Sequence, residues 1–325
     1  MAQPLFQKIK QQHPDHVIDV VAPRWVAPVI SRMTEIHVTI DSPLQHGKLN
    51  WAGISETARE LKQVGYDEAI ILPNSFKSAL LPFKAGIPVR RGFLGEMRYL
   101  LLNKIIRPDP KKSIRLIDRY LMIADDQPLP QAANDGFCPP SLQSDSEQQR
   151  KTLSLFGLSP DKPIIALCPG AEYGPAKRWP AHHFASLIDL LSESDCQICL
   201  LGSQKDDIIA QEILSAMSDP SEKLTNLCGK TTLDQVIDLL AASSVAVVND
   251  SGLMHMACAV GISVIAIYGS SSPAYTPPVS PLASIIQCPQ PCSPCFDRTC
   301  RFSHYHCLES ILPKMVMQKI QISVK

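Results

Sequence analysis

In PGAEYGPAKRWP (residues 169–180), Lys177 and Arg178 stand side by side in a glycine- and proline-rich loop that follows an apolar run. A lysine point charge beside a planar arginine fork suits a pyrophosphate. A solvated basic pair would be spelled the same way. LLGSQKD (200–206), followed by Asp207, again sets charge after an apolar run. A carboxylate there can accept both hydroxyls of a ribose, or simply favour the first turn of a helix. VVNDSGLMHMACAVG (247–261) passes from apolar residues through Asn249, Asp250, Ser251 and Gly252 into an apolar stretch that contains His255. A helix starting there would offer unpaired N–H groups and a positive dipole end to a phosphate. The alternative is that Asp250 or Ser251 simply caps the helix. His255 can bond a phosphate or fix the loop, and can equally be a satisfied half-buried histidine. SVIAIYG (263–269) ends in Ser270, Ser271, Ser272 and Pro273.

All four polar clusters need strands to hold them. PIIALCPG (163–170), QICLLGS (197–203), SVAVV (244–248) and SVIAIYGSS (263–271) are continuous apolar runs, as expected of parallel strands buried on both faces. Helix-like stretches separate them: HHFASLIDLLSES, DDIIAQEILSAM, LDQVIDLLAAS and LMHMACAVG, the last ending at Gly261. In such a sheet the carboxyl ends share one edge, so the clusters converge there. The first half alternates in the same way. VIDVVAP (17–23), EIHVTID (35–41) and EAIILPN (68–74) read as strands, and RWVAPVISRM, ISETARELKQVG and FKSALLPFKAG as helices. The fold class is α/β with parallel sheets. Periodicity weakens from Arg107 to about Arg150, around Pro128, Pro130, Pro139 and Pro140, which predicts a linker and domains at 1–150 and 151–325. The chain opens on a helix, PLFQKIKQQHP, with no strand before it.

With 325 residues there is room for two cores. Lys plus Arg and Asp plus Glu both total 31, so no basic field argues for nucleic acid. No apolar run approaches the ~18 residues of a membrane span, and the amino terminus lacks a signal peptide's apolar core. A cytoplasmic protein is expected. Six of the eleven cysteines are scattered, several in apolar runs, as small hydrophobes in a reducing compartment would be.

PGAEYGPAKRWP, LLGSQKD and NDSGLMHMA, in this order and spacing, resemble the donor half of the bacterial ADP-heptose:lipopolysaccharide heptosyltransferases. LPNSFKSALLPFKAGIPVRRGFLGEMRYLLLN and YGSSSPAYTPP are closer to the heptosyltransferase II branch than to the heptosyltransferase I branch. The resemblance covers nearly the whole chain. It implies a GT-B architecture, with two Rossmann-like domains facing a cleft, the first for acceptor and the second for the nucleotide sugar. The implied reaction is inverting transfer of L-glycero-D-manno-heptose from ADP-heptose to the first heptose of the inner core in Gram-negative bacteria. The partners are then ADP-heptose and heptosyl-Kdo2-lipid A. The implied place is the cytoplasmic, inner face of the inner membrane, with the enzyme a peripheral monomer needing no metal or cofactor.

Carried over to this sequence, the family pattern makes Lys177 and Asp250 catalytic. It assigns the donor to Gly170, Lys177, Arg178, Asp206, Asp250, Ser251, Gly252, Leu253 and His255. Asn74, Ser75 and Lys77 become acceptor-binding, and Arg90, Arg91 and Arg98 candidates for acidic groups of the acceptor. The family opens with a strand and a Gly-Asp loop whose aspartate serves as general base. This sequence starts at MAQPLFQ, inside the helix that follows. The expectation is an incomplete first sheet and, without that base, transfer weakened by roughly 10²–10⁴-fold, with the natural start upstream. A competing expectation is a truncated remnant that binds an ADP-sugar without catalysis.

CPQPCSPCFDRTCRFSHYHC (288–307) holds Cys288, Cys292, Cys295, Cys300 and Cys307 with His304 and His306. A structural zinc is one expectation, free or redox-active thiols another. A third function class, a cysteine-rich metal module acting as an interaction surface, follows from the zinc reading.

Overall fold

The protein is described by a computed structural model covering residues 1–44, 47, 49–107, 115–124, 138–219 and 221–323. Pro128 and Pro130 of the expected linker lie outside the described residues.

Residues 1–138 form one unit and 139–325 a second. In the first, α1 (Gln3–Gln12) leads to β1 (Asp19–Ala22), a short α2 (Ala27–Ile30) and β2 (Val38–Asp41). β1 and β2 pair in parallel, Asp19 opposite Val38. Then come α3 (Trp51–Val64), β3 (Glu68–Ile71), α4 (Phe76–Lys84), β4 (Val89–Phe93), β5 (Lys104–Ile106) and α5 (Leu116–Ala124), with β3, β4 and β5 in a second parallel sheet. Among the described residues no ladder joins the two sheets. On α3, Ile54, Ala58 and Leu61 recur at helical spacing and pack on Ile71, Ala79 and Leu80.

The units divide ahead of the residue-150 boundary read from the sequence. α6 (Ser146–Leu155) belongs to the second unit, where buried Asp238 accepts hydrogen bonds from Ser144 and Thr152 at 3.0 and 3.4 Å. There follow β6 (Ile164–Cys168), α7 (Ala181–Leu191), β7 (Gln197–Leu200), α8 (Asp207–Ala216), β8 (Leu224–Asn226) and α9 (Leu233–Ala242). The chain then runs through β9 (Val245–Asn249), α10 (Gly252–Ala259), β10 (Ser263–Tyr268), β11 (Ala283–Gln287), α11 (His306–Glu309) and α12 (Pro313–Ser323). The six strands form one parallel sheet in the order β11-β10-β9-β6-β7-β8. Every residue of β6 and β9 is buried, which is why their sequences are apolar without alternation. Burying each Val, Ile or Leu contributes roughly 1.5–3 kcal/mol, which fixes the sheet edge from which the polar loops spring.

Candidate active site

β6 and β9 are neighbours at the middle of this sheet, and the chain leaves them in opposite directions, toward β7 and β8 on one side and β10 and β11 on the other. Loops diverge at such a switch point and open a crevice at the carboxyl ends of the strands. The loop after β6 brings Lys177 and Arg178; the turn after β9 brings Asp250 and Ser251.

These loops meet. Lys177 Nζ donates to Asp250 Oδ2 at 2.5 Å, with the side chains 15% and 5% exposed. Thr276 Oγ1 shares its proton with the same carboxylate, 3.2 and 3.3 Å from its two oxygens. Lys177 Nζ and the Arg298 guanidinium lie 5.0 and 5.2 Å from the centre of the Tyr173 ring. Fully buried Asn249 clamps both ends of the β6 loop: its amide donates to Pro169 O at 2.8 Å and its carbonyl accepts from Trp179 N at 3.0 Å.

Ser251 stands at the N-cap of α10 in extended conformation, yet its side chain makes no cap bond. The carboxylate of Asp250 is turned to Lys177 and Thr276. Capping therefore explains neither residue. A Cβ placed on Gly252 would touch nothing within 4 Å, so the space over the helix end is open. Leu253 supplies another N–H of this first turn, where helix amides have no internal acceptor. Ser251 Oγ, Ser270 Oγ, Ser271 Oγ and Arg178 Nε are buried without a hydrogen-bond partner. They sit after β9, β10 and β6, three adjacent strands. A buried polar atom left unpaired costs about 1–3 kcal/mol, so this concentration fits a ligand rich in acceptor oxygens. Burial pushes the His255 imidazole down to about 4, leaving it neutral at pH 7, when it can donate one N–H.

Gly170 and Asp206 are linked sterically. A Cβ on Gly170 would lie 2.4 Å from the Asp206 carboxylate. Asp206 Oδ2 accepts from Ser203 N and Oγ at 2.8 and 2.7 Å, closing a capping box ahead of α8. The carboxylate thus lies on the sheet edge beside the β6 loop and also has a local structural task.

The 288–307 segment braces the site. Arg298 O accepts from Ala176 N at 3.0 Å, and a Cβ on Gly174, whose φ is 152°, would come within 2.4 Å of that oxygen. Tyr173 Oη donates to Phe296 O at 2.5 Å, and Phe296 N to Ser270 O at 2.8 Å. Cys288, Cys292, Cys295, Cys300 and Cys307 are free and half-buried. Among the described residues they do not bring three ligand atoms within 4.8 Å of one another, so their spacing does not support the zinc expected from the sequence.

In the first unit, Asn74 is exposed between β3 and α4, and Ser75 precedes α4 without capping it through its side chain. Lys77 is half-buried on the first turn. The arginines differ from expectation. Arg98 is fully buried and donates to Phe93 O, Pro73 O, Ser75 O and Ser78 Oγ at 2.6, 2.7, 3.1 and 3.0 Å. Arg91 pairs with Glu68 at 2.6 Å, and Arg90 donates to Leu101 O and Ile87 O at 2.8 and 2.6 Å. These guanidiniums satisfy carbonyls and a carboxylate of their own unit. The sequence places Asn249 in the polar cluster after the third apolar run but assigns a site role to none of Asn249, Thr276 and Arg298.

The model for glycosyltransferase family 9 (heptosyltransferase) matches residues 54–306. The chain is 43% identical over 291 residues to lipopolysaccharide heptosyltransferase 2 of Escherichia coli (strain K12), covering 88% of this chain and 84% of that protein. It is 42% identical over 293 residues to lipooligosaccharide heptosyltransferase 2 of Haemophilus influenzae, with coverage of 88% and 84%. The solved structure of E. coli ADP-heptose lps heptosyltransferase II aligns with a TM-score of 0.87 and 37% identity, covering 99% of this chain and 94% of that one.

Proposed function

This chain belongs to glycosyltransferase family 9, the heptosyltransferases, and has the α/β GT-B fold; from that premise we infer that it transfers heptose from ADP-heptose to the first heptose of the lipopolysaccharide inner core. The observation that carries this reading is the set of unpaired polar groups on the loops at the β6/β9 switch point. An uncapped helix end, four buried polar atoms without a partner and the Lys177–Asp250 pair all stand on the loops that follow β6, β9 and β10.

In the proposed complex the diphosphate lies over the amino end of α10, taking the N–H groups of Gly252 and Leu253 and the hydroxyl of Ser251. Arg178 forks onto phosphate oxygens. Lys177, held in place by Asp250, faces the oxygen that gains charge as the anomeric carbon–oxygen bond breaks. Asp250 acts here as a positioning carboxylate, because its oxygens accept from Lys177 and Thr276. His255, neutral, donates to a phosphate. Gly170 leaves room for Asp206 near the ribose. The acceptor hydroxyl attacks the anomeric carbon, its proton passes to a base, and ADP departs. Side-chain cations and backbone amides do the neutralising, and no metal enters the step.

Asn74, Ser75 and Lys77 are proposed to meet the acceptor, since Asn74 is exposed and the Ser75 hydroxyl is not spent on capping. A lipid-anchored acceptor of the heptosyl-Kdo2-lipid A class and a cytosolic nucleotide sugar would meet at the cytoplasmic face of the inner membrane. Mass-spectrometric assay of ADP-heptose with heptosyl-Kdo2-lipid A tests the reading. One added heptose with release of ADP supports it. Binding of ADP-heptose with no transfer would leave a nucleotide-sugar-binding protein, and neither binding nor transfer would remove the reading altogether.

A further inference from the structure

α7 opens with two adjacent histidines that the proposed transfer does not use. Both imidazoles approach Glu309 on α11: His182 Nε2 and His183 Nε2 lie 3.3 and 3.5 Å from Glu309 Oε2. His183 Nε2 is also 3.0 Å from the backbone oxygen of Glu309. The three side-chain ligand atoms all fall within 4.8 Å of one another. Ligands held ~2.0–2.1 Å from a tetrahedral ion stand about 3.3–3.4 Å apart, and the two imidazole–carboxylate separations match that edge. The rings are 4.3 Å apart, with His183 only 11% exposed and backed by Trp179, while His182 and Glu309 are 58% and 40% exposed. One flank is thus fixed and the other open to an entering ion. Burial lowers the pKa of His183, so the neutral, ligating imidazole is its form at neutral pH.

We propose that His182, His183 and Glu309 form a binding site for one divalent transition metal of the zinc type. Two imidazoles and a carboxylate with an open fourth position are a ligand set suited to Zn²⁺. On binding, Nε2 of His183 exchanges its hydrogen bond to the Glu309 carbonyl for the ion, and the single proton of the neutral ring moves to Nδ1, so the ligand remains a neutral imidazole. The ion joins the first turn of α7 to α11. The same two regions are already linked by the Trp179 indole, which donates to Ile311 O at 2.8 Å. Trp179 directly follows Lys177 and Arg178, so the metal would stiffen the loop that carries both without entering the chemistry.

Cobalt(II) titrated into the full-length protein under reducing conditions is the test, since it distinguishes nitrogen and oxygen ligands from thiolates. The expected result is one ion per chain and visible ligand-field bands, without the near-ultraviolet charge-transfer band of cobalt–sulfur bonds. His182→Ala and Glu309→Gln, both at partly exposed positions, should each weaken binding by ~10-fold or more, and Zn²⁺ should raise Tm in the parent protein only. No ligand-field bands, or a sulfur charge-transfer band with binding unchanged in His182→Ala, would overturn the proposal. The second outcome would move the metal to the cysteines.

Discussion

Replacing Lys177 by methionine removes the charge while keeping most of the chain length. At 2.5 Å and an effective dielectric near 20, the attraction between Lys177 and Asp250 is about 6–7 kcal/mol. Desolvating two ions costs several kcal/mol each and cancels most of that gain. The pair is therefore worth little net, but stranding one member is expensive, about 3–5 kcal/mol. Thr276 still donates to Asp250 in the variant, which favours the lower figure. At ~2–4 °C per kcal/mol for a unit of this size, Tm should fall by about 6–12 °C. Lys177→Met/Asp250→Asn leaves no stranded charge, so most of that loss should return. Turnover behaves differently. Without the ammonium opposite the departing phosphate, kcat should drop ~10²-fold or more in both variants. Calorimetry and the heptose-transfer assay on the two proteins read these effects separately. Lowered Tm with unchanged kcat would make the pair purely structural, and unchanged Tm in the single variant would refute the buried ion pair itself.

Arg98→Met should destabilise the first unit by at least about 3 kcal/mol, because five acceptors lose a buried charged donor; a raised acceptor KM with no change in Tm would restore the reading as a substrate contact. Gly170→Ala drives a methyl into the Asp206 carboxylate. It should cost about 1 kcal/mol by disturbing the capping box and raise KM for the donor, whereas unaltered donor kinetics would detach Asp206 from the nucleotide. His255 titrates near 4 in the folded protein against 6.5 ordinarily. As pH falls through that interval the unfolded chain takes up a proton the folded one refuses. Stability should therefore decline between pH 6.5 and 4, by up to about 3 kcal/mol from this group, and stay level above. Tm-versus-pH curves that coincide for the parent and His255→Gln would dismiss this contribution.

β6, β7, β9 and β10 of the second unit were legible because a sheet buried on both faces leaves runs such as VAVVN and SVIAIY with no alternation, whereas the edge strand β11, exposed or half-exposed along most of its length, was not. The loops at their ends were legible because topology sends all carboxyl ends to one edge. β4 was not, since its sequence VRRGF carries two arginines whose internal partners, Glu68, Ile123 O and Leu101 O, are distant in the chain. The same concealment led to Arg98 being read as a substrate contact. α6 has a polar sequence, SEQQRKTLSL, so its attachment to Asp238 is invisible until the fold brings them together. Thr276 and Arg298 reach the site from loops 26 and more than 100 residues from the groups they serve. The cysteine run was conspicuous as chemistry but contributes main-chain braces at Phe296 and Arg298.

The central claim is that the β6/β9 switch point receives the diphosphate of the donor. A crystal structure with ADP bound tests it most directly. The account predicts a phosphate on the N–H groups of Gly252 and Leu253, with Ser251 Oγ and Arg178 Nε now bonded and Lys177 within reach of its oxygens. ADP bound elsewhere, or bound with the amino end of α10 still open, would contradict it.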